Sequence, residues 1–178
     1  NPILFIKPAT TVIGYNDKII LPKISERVDY EAELAIIISK KTYKLKSINA
    51  AADCILGYTC ANDITARDIQ KLDGQWTRAK SFDTFCPLGP FIATDINPDN
   101  LKIQTLVNNQ IKQDSNTNNF IFKTFEIVYF ISQVMTLLQG DVIITGTPPG
   151  IGALKDKDKV SIIIENIGEL KNISALEK

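Results

Sequence analysis

Two glutamates separated by one residue, Glu31 and Glu33, open a continuous apolar run that extends to Ile38. The run is rich in β-branched residues, which predicts a strand, and side chains at positions i and i+2 of a strand point to the same face. Two like charges side by side at the mouth of a buried strand repel each other and lose hydration. A bound cation relieves both costs, so the pair predicts a metal site.

Asp63 is the third candidate ligand, at the point where a strand is expected to run into a short helix over residues 63–69. Taken alone, its carboxylate is equally suited to cap that helix. Taken with Glu31 and Glu33, it favours a ligand role. The chain has no histidine, and an all-carboxylate site suits hard cations. We therefore expect Mg²⁺, with Mn²⁺ or Ca²⁺ as alternatives.

Two further positions could act beside such a site. Three carboxylates around a divalent cation leave one negative charge, and Lys80 is the candidate to balance it, although an ordinary exposed lysine is the alternative. The glycine-rich turn over residues 146–152 lacks the Gly-Lys-Ser/Thr ending of a P-loop and the spacing of a dinucleotide fingerprint. It is therefore expected to present Thr147 and backbone groups to a ligand other than a nucleotide.

Composition limits the class of protein. The 178 residues, 44% of them hydrophobic, predict a single domain spanning residues 1–178. The 20 basic and 20 acidic residues are scattered, which argues against a nucleic-acid or membrane surface and favours a small-molecule partner. No apolar run approaches the roughly 20 residues that span a bilayer. An odd number of cysteines without zinc-type spacing predicts buried thiols in a reducing cytoplasm: Cys54, Cys60 and Cys86.

The elements that must position these side chains are mainly strands. Short apolar runs bounded by turn residues predict strands near residues 4–6, 18–21, 31–38, 90–93, 101–107, 141–144 and 160–164, with a hairpin turn at Asn108-Asn109. Helical spacing predicts one helix from Ser47 to a C-terminal cap at Gly57 and another from Thr124 to Leu138, closed by Gly140. The pattern predicts an α+β fold in which sheet predominates.

Four motifs occur in an order that resembles the C-terminal catalytic domain of the fumarylacetoacetate hydrolase family. They are Val28-Asp29-Tyr30-Glu31-Ala32-Glu33-Leu34, Asn62-Asp63-Ile64-Thr65-Ala66-Arg67-Asp68-Ile69-Gln70, Lys80-Ser81-Phe82-Asp83 and Thr145-Gly146-Thr147-Pro148. The similarity extends from Phe5 to Asn172. It implies a mixed β-sheet roll with a few short helices, commonly assembled as a homodimer.

The resemblance also implies roles for individual residues. It identifies the metal ligands as Glu31, Glu33 and Asp63. It gives catalytic roles to Lys80 and Gln70, which would stabilise an enolate. It assigns substrate binding to Lys7, Arg67 and Thr147. Without the resemblance, Lys7 and Arg67 would be interpreted as surface or ion-pair residues.

The implied substrate is a 2-oxo or β-diketo acid. We expect first the hydrolytic C–C cleavage of an acylpyruvate-type substrate, as in aromatic catabolism. The alternatives are isomerisation of the 2-hydroxyhepta-2,4-diene-1,7-dioate type or decarboxylation of the oxaloacetate type. A different class of function is a non-catalytic module that binds a metal and an anion.

Hydrolysis requires a base that activates water. Hydrolytic members of the family take this base from a His and Glu pair in a lid upstream of the motif that begins at Phe5. The chain opens at Asn1 without an initiating Met. We expect either that such a lid precedes these residues in a longer polypeptide or that the protein lacks it. Glu26 is the nearest substitute and is expected to be solvated.

Overall fold

The computed structural model describes residues 1–178 as three sheets with a few short helices. The strands are β1 (Val12–Ile13), β2 (Lys18–Leu21), β3 (Val28–Tyr30), β4 (Ala32–Ile38), β5 (Ile55–Asn62), β6 (Thr65–Ala66), β7 (Cys86–Ala93), β8 (Lys102–Val107), β9 (Gln110–Asn116), β10 (Val142–Ile144), β11 (Gly152–Ala153), β12 (Lys159–Ile164) and β13 (Gly168–Leu176). The α-helices are α1 (Arg67–Asp73), α2 (Thr77–Lys80) and α3 (Thr124–Val134), and short 3-10 helices cover Ala9–Thr11, Asn49–Cys54 and Thr117–Asn119. The sheet-dominated α+β prediction is confirmed.

Two five-stranded sheets form most of the molecule. One has the order β1-β7-β5-β4-β10 and the other β2-β13-β12-β8-β9, and in each the first strand named is parallel to its neighbour while the remaining pairs are antiparallel. A small third sheet, β11-β3-β6, lies beside the candidate ligands. All seven residues of β4 are buried, as expected for an apolar run covered on both faces.

One continuous hydrophobic cluster of 30 buried residues runs through these sheets. Leu34 and Ile36 of β4 contribute to it, as do Ile162 and Ile164 of β12. The three cysteines are buried and unpaired, as the sequence predicted. Burial raises the pKa of Cys60 to about 12 and that of Cys86 to about 11, so both remain thiols near neutral pH. None of the helices has the length and apolar character needed to cross a membrane.

The predicted hairpin is confirmed. Asn108 and Asn109 connect β8 to β9 with φ angles of 50° and 64°. Two consecutive residues with positive φ are what a tight two-residue hairpin turn requires, and asparagine tolerates them better than most residues. The strands predicted near residues 18–21, 31–38, 141–144 and 160–164 are also present, with every end within one residue of the prediction.

Several local predictions were wrong. Residues 4–6 form no strand. The helix expected from Ser47 is only the 3-10 helix Asn49–Cys54, and Gly57 lies inside β5, where a Cβ atom would approach the carbonyl oxygen of Ala93 to 2.5 Å. The glycine is therefore required by close approach between strands and does not cap a helix.

Two helix ends also differ from the prediction. The short helix expected over residues 63–69 is α1, which begins at Arg67, so Asp63 does not cap it. The helix from Thr124 ends at Val134, four residues before Leu138. Glu126 caps the N-terminus of this helix, because its carboxylate accepts a hydrogen bond from the backbone N–H of Lys123 at 2.8 Å.

Candidate metal centre and adjoining cavity

The three candidate ligands converge at one end of the central sheet. Glu31, Glu33 and Asp63 each offer one carboxylate oxygen, and these oxygens lie within 4.8 Å of one another. All three residues are at most 5% exposed. Carboxylates are rarely buried so completely unless they are paired or bind a metal.

Strand pairing explains this convergence. Glu31 is the single residue between β3 and β4, and Glu33 is the second residue of β4. Asp63 directly follows β5, which is antiparallel to β4 with Ala32 opposite Asn62. The beginning of β4 and the end of β5 therefore lie side by side. The sequence predicted one strand through both glutamates, whereas the structure interrupts it at Glu31 and still places the carboxylates together.

Backbone hydrogen bonds fix the three ligands relative to one another. The N–H of Asp63 donates to the carbonyl oxygen of Glu31 at 2.9 Å. The N–H of Glu31 donates to the side-chain oxygen of Asn62 at 2.9 Å. The N–H of Gly146, in the turn after β10, donates to Glu33 Oε2 at 2.6 Å. The glycine-rich turn thus bonds directly to one of the candidate ligands.

Lys80 bridges two of the carboxylates. Its Nζ donates to Glu31 at 2.9 Å and also to Asp63, and the residue is 2% exposed. Burial lowers the pKa of Lys80, but the carboxylates of Asp63 and Glu31 outweigh that effect and the pKa is raised. The ammonium also lies 4.9 Å from the centre of the Phe5 ring. Lys80 is therefore a buried cation and not the exposed surface lysine of the alternative interpretation.

Lys7 and Arg67 hold the same carboxylates from other sides. Lys7 Nζ donates to Asp63 Oδ1 at 2.7 Å. Arg67 donates to Glu31 and, at 2.5 Å, to the side-chain oxygen of Gln70. Burial lowers the pKa of Arg67, but hydrogen bonds and charges from neighbouring carboxylates outweigh it, so the guanidinium stays charged.

Asp29 is a site residue that the sequence analysis missed. It is fully buried and accepts hydrogen bonds at 2.9 Å from both Arg67 and Arg27. It thereby orients the arginine that contacts Glu31. The i, i+2 spacing that singled out Glu31 and Glu33 extends back to Asp29 and could have identified it.

Glu33 differs from the other two ligands because no basic side chain pairs with it. Burial raises the pKa of Glu33 well above its ordinary value, and the charges of Asp63 and Glu31 raise it further. The hydrogen bond from Gly146 and the charge of Lys80 oppose this rise. Glu33 therefore lacks a positive partner, and a hard divalent cation among the three carboxylates fits this donor set.

A cavity of about 710 Å³ opens next to the carboxylates. Its charged end is formed by the three ligands with Arg67 and Lys80, and Gln70 and Thr147 also line it. The rest of the wall is mainly apolar and includes Phe5, Trp76, Phe120, Ile121 and Phe122. A mostly apolar cleft with a few converging polar groups is typical of small-molecule sites.

All but one of the residues assigned to the site from sequence line this cavity. The exception is Lys7, which lies behind Asp63 and lines a neighbouring apolar pocket of about 510 Å³. Glu26 is exposed, as expected. Two more residues went unnoticed because their partners are distant in sequence: Asn62, which accepts from the backbone of Glu31, and Gln113, which bonds to Ala32 and Thr147.

Comparison with known proteins agrees with the motif order. A family model described as fumarylacetoacetate (FAA) hydrolase C-terminal matches residues 1–173. An uncharacterised protein of Archaeoglobus fulgidus is 61% identical over 171 residues, which are 96% of this chain and 68% of that protein. A mitochondrial oxaloacetate tautomerase of Rattus norvegicus is 44% identical in an alignment of 183 positions, which covers 97% of this chain and 58% of that enzyme.

Solved structures of other proteins also resemble this chain. A 5-carboxymethyl-2-hydroxymuconate delta-isomerase from Mycobacterium smegmatis has a TM-score of 0.98 and 47% identity, covering 100% of this chain and 70% of that one. A fumarylacetoacetate hydrolase from Exiguobacterium antarcticum has a TM-score of 0.93 and 37% identity, covering 98% of this chain and 66% of that one. Proteins that are similar to this chain are thus named as a tautomerase, an isomerase and a hydrolase.

Proposed function

The chain belongs to the fumarylacetoacetate hydrolase family, and from this membership we propose that it contributes the active site of a metal-dependent enzyme that moves a proton within a 2-oxo acid. The reaction is keto–enol tautomerisation or the related shift of a conjugated double bond. The observation that carries the proposal is the buried ammonium of Lys80, which bridges two carboxylates at the wall of the cavity. The proposed cation is Mg²⁺, with Mn²⁺ or Ca²⁺ as alternatives, held by Glu31, Glu33 and Asp63.

The proposed division of work among the residues follows from their charges. A divalent cation at the three carboxylates would act as a Lewis acid toward the oxygen atoms of a 2-oxo acid. Lys80 keeps its proton and, being almost fully buried, acts on nearby charge with little screening by water. Its role is to stabilise the negative charge that grows on the substrate oxygen as the enolate forms.

The polar groups of the cavity wall bind and orient the substrate. Gln70 and Thr147 are uncharged and face the cavity, so they suit hydrogen bonding to substrate oxygen atoms. Arg67 is paired with Asp29 and Glu31, and its role is to hold the charged end of the cavity in place. Lys7 does not line the cavity, so we propose that it acts through Asp63 and does not touch substrate.

Two observations favour proton transfer over hydrolysis. The tautomerase and the isomerase described above are more similar to this chain, at 44% and 47% identity, than the hydrolase, at 37%. Proton transfer also requires no activated water, and the charged, buried ammonium of Lys80 at the cavity wall suits stabilisation of an enolate. Stabilisation of an enolate is the demand that tautomerisation and isomerisation share.

Hydrolytic C–C cleavage, the first expectation from sequence, remains the second candidate. It is favoured by the hydrolase of the same fold at a TM-score of 0.93. It also begins with an enolate or an equivalent charge on oxygen, but it needs a base for water in addition.

The experiment compares three substrates with the full-length protein, with and without Mg²⁺. Oxaloacetate reports tautomerisation through the ultraviolet absorbance of its enol, a hydroxymuconate-type dienoate reports isomerisation, and an acylpyruvate reports cleavage through release of pyruvate. We expect metal-dependent turnover of oxaloacetate or the dienoate without C–C cleavage. Cleavage of the acylpyruvate as the main reaction would favour hydrolysis, and no metal-dependent turnover of any substrate would favour a binding module.

A further inference from the structure

Gln113 makes four hydrogen bonds behind the wall of the cavity. It lies on β9, is 1% exposed and does not line the cavity. Its Oε1 accepts from the backbone N–H of Ala32 at 3.0 Å and from the hydroxyl of Thr105 at 2.6 Å. Its Nε2 lies 2.8 Å from the Thr147 hydroxyl and 2.8 Å from the carbonyl oxygen of Pro148. These bonds use every donor and acceptor of the amide.

The partners leave the amide only one orientation. The N–H of Ala32 can only donate, so it must face Oε1. The carbonyl of Pro148 can only accept, so it must face Nε2. Consequently Nε2 also donates to the hydroxyl oxygen of Thr147. The proton of that hydroxyl has no acceptor within the protein, and Thr147 lines the cavity.

We propose that Gln113 is a positioning residue, which makes the Thr147 hydroxyl a hydrogen-bond donor to a carboxylate of the substrate. By donating to the Thr147 oxygen, the amide leaves the Thr147 proton free for an anionic oxygen in the cavity. The inference rests on the proposed function, because a 2-oxo acid supplies that carboxylate.

The same amide connects this donor to the metal ligands. Ala32 lies between Glu31 and Glu33, and Gln113 is its hydrogen-bond partner across the sheets. Gln113 therefore bonds both to the start of β4 and to the turn that carries Thr147. The geometry suits a ligand that contacts the metal site and Thr147 at the same time.

A double-mutant cycle tests the proposal with oxalate, which carries two adjacent carboxylates and resembles the acid end of an enolised 2-oxo acid. Oxalate affinity is measured by calorimetry on the full-length protein at saturating Mg²⁺ for the wild type, Thr147→Val, Gln113→Met and the double variant. Because a hydrogen bond to a charged group is lost, we expect each single change to weaken binding about tenfold or more. The double variant should bind oxalate at most about threefold more weakly than the single variant with the lower affinity. The reason is that both changes remove the same interaction.

Two further variants make the result decisive. Gln110→Met changes an exposed glutamine on the same strand, whose side chain accepts a hydrogen bond from Lys112, and should leave affinity unchanged. Gln113→Glu keeps the Oε1 acceptor but replaces the Nε2 donor by an oxygen and adds a negative charge, so it provides the test if Gln113→Met does not fold. Its loss of oxalate affinity should disappear in the Thr147→Val background, whereas simple repulsion of oxalate by the new charge would persist there.

Several results would overturn the inference. Wild-type affinity in Gln113→Met or Gln113→Glu would do so, and so would additive losses, near a hundredfold, in the double variant. Each of these leaves the proposed function standing, since the wild type still binds oxalate. A wild type that does not bind oxalate with Mg²⁺ would instead overturn the proposed function and this inference with it.

Discussion

Among single residues, the site is a continuous series of ion pairs in which basic and acidic side chains alternate. In order of contact it runs through Arg27, Asp29, Arg67, Glu31, Lys80, Asp63 and Lys7. Most of these groups are buried, and removing one partner of a buried pair leaves the other uncompensated, at a cost of about 3–5 kcal/mol. Glu33 is not part of this series of ion pairs and has no basic partner. A metal is therefore expected beside it, and substitution of Glu33 is the most informative test of metal binding.

Lys80→Met should separate metal binding from catalysis. The substitution removes a positive charge near the ligands, so Mg²⁺ affinity should persist or increase, whereas kcat should fall about a hundredfold or more because the enolate loses its fixed cation. The metal-free variant should be less stable, and Mg²⁺ should restore part of that stability. Calorimetry and initial rates measure the two effects.

Arg78→Met provides the matched control for Lys80. Arg78 lies on the same short helix but is exposed and pairs with Asp73. It should change neither metal affinity nor rate. Full activity in Lys80→Met would show that the lysine is only structural.

The affinity for Mg²⁺ should rise with pH because of Glu33. The pKa of Glu33 is raised in the metal-free protein, so above the ordinary pKa of a glutamate the folded chain holds a proton that the unfolded chain has released. Stability of the metal-free form therefore falls as pH rises through that window, and metal binding must release the proton. Calorimetry in buffers of different ionisation enthalpy measures this release.

A substitution isolates the contribution of Glu33 to this pH dependence. Glu33→Gln cannot take up the proton, so proton release on metal binding should decrease in this variant. Equal proton release in both proteins would contradict the assignment to Glu33.

At the scale of elements, the sequence predicted most strands and the hairpin at Asn108-Asn109 because those signals are local. It also predicted that Glu31, Glu33 and Asp63 form one site, since a strong charge conflict is visible without coordinates. The break between β3 and β4 at Glu31 was not predictable, because it depends on which neighbours pair with each half. Gln113 and Asn62 were missed for the same reason, because the partners that connect them to the site, Glu31, Ala32 and Thr147, are 31 or more residues away.

Gly57 shows how a local pattern can mislead. The apolar residues from Ile48 to Leu56 have helical spacing, and a following glycine is typical of a helix end. Pairing of β5 with β4 and β7 overrides that preference, and the glycine serves close packing against Ala93.

Gly57→Ala should therefore destabilise the protein. The new Cβ would lie 2.5 Å from the Ala93 carbonyl oxygen and 2.6 Å from a methyl group of Ile92, and such overpacking costs about 1–3 kcal/mol. Urea unfolding measures the free energy of unfolding. Gly14→Ala is the control, because its nearest neighbour, a carboxylate oxygen of Asp17, is 3.5 Å away. Equal stability of Gly57→Ala and the wild type would contradict the close approach.

In the whole molecule, the cavity lies beside the three carboxylates and is lined by residues from both of the large sheets. Ile103 and Ser115 reach it from one sheet, and Glu33 and Ile144 reach it from the other. The sequence could not predict this wall, because it depends on how two sheets pack. Its mostly apolar character follows from the same packing.

The homodimer implied by the family stays a prediction. Five apolar side chains are at least 65% exposed: Ile3, Ile6, Ile24, Leu72 and Ile121. Sedimentation equilibrium of the full-length protein should give twice the mass of one chain. A concentration-independent mass of a single chain would contradict it.

The proposed function requires that Glu31, Glu33 and Asp63 bind the divalent cation on which turnover depends. Its most direct test is the Mg²⁺ activation curve of the substrate that the wild type converts, measured for Glu33→Gln beside Glu26→Gln, an exposed glutamate outside the site. Because one charged ligand is lost, the midpoint of Mg²⁺ activation should rise about tenfold or more in Glu33→Gln and stay unchanged in Glu26→Gln. An unchanged midpoint in Glu33→Gln would show that these carboxylates do not hold the activating cation.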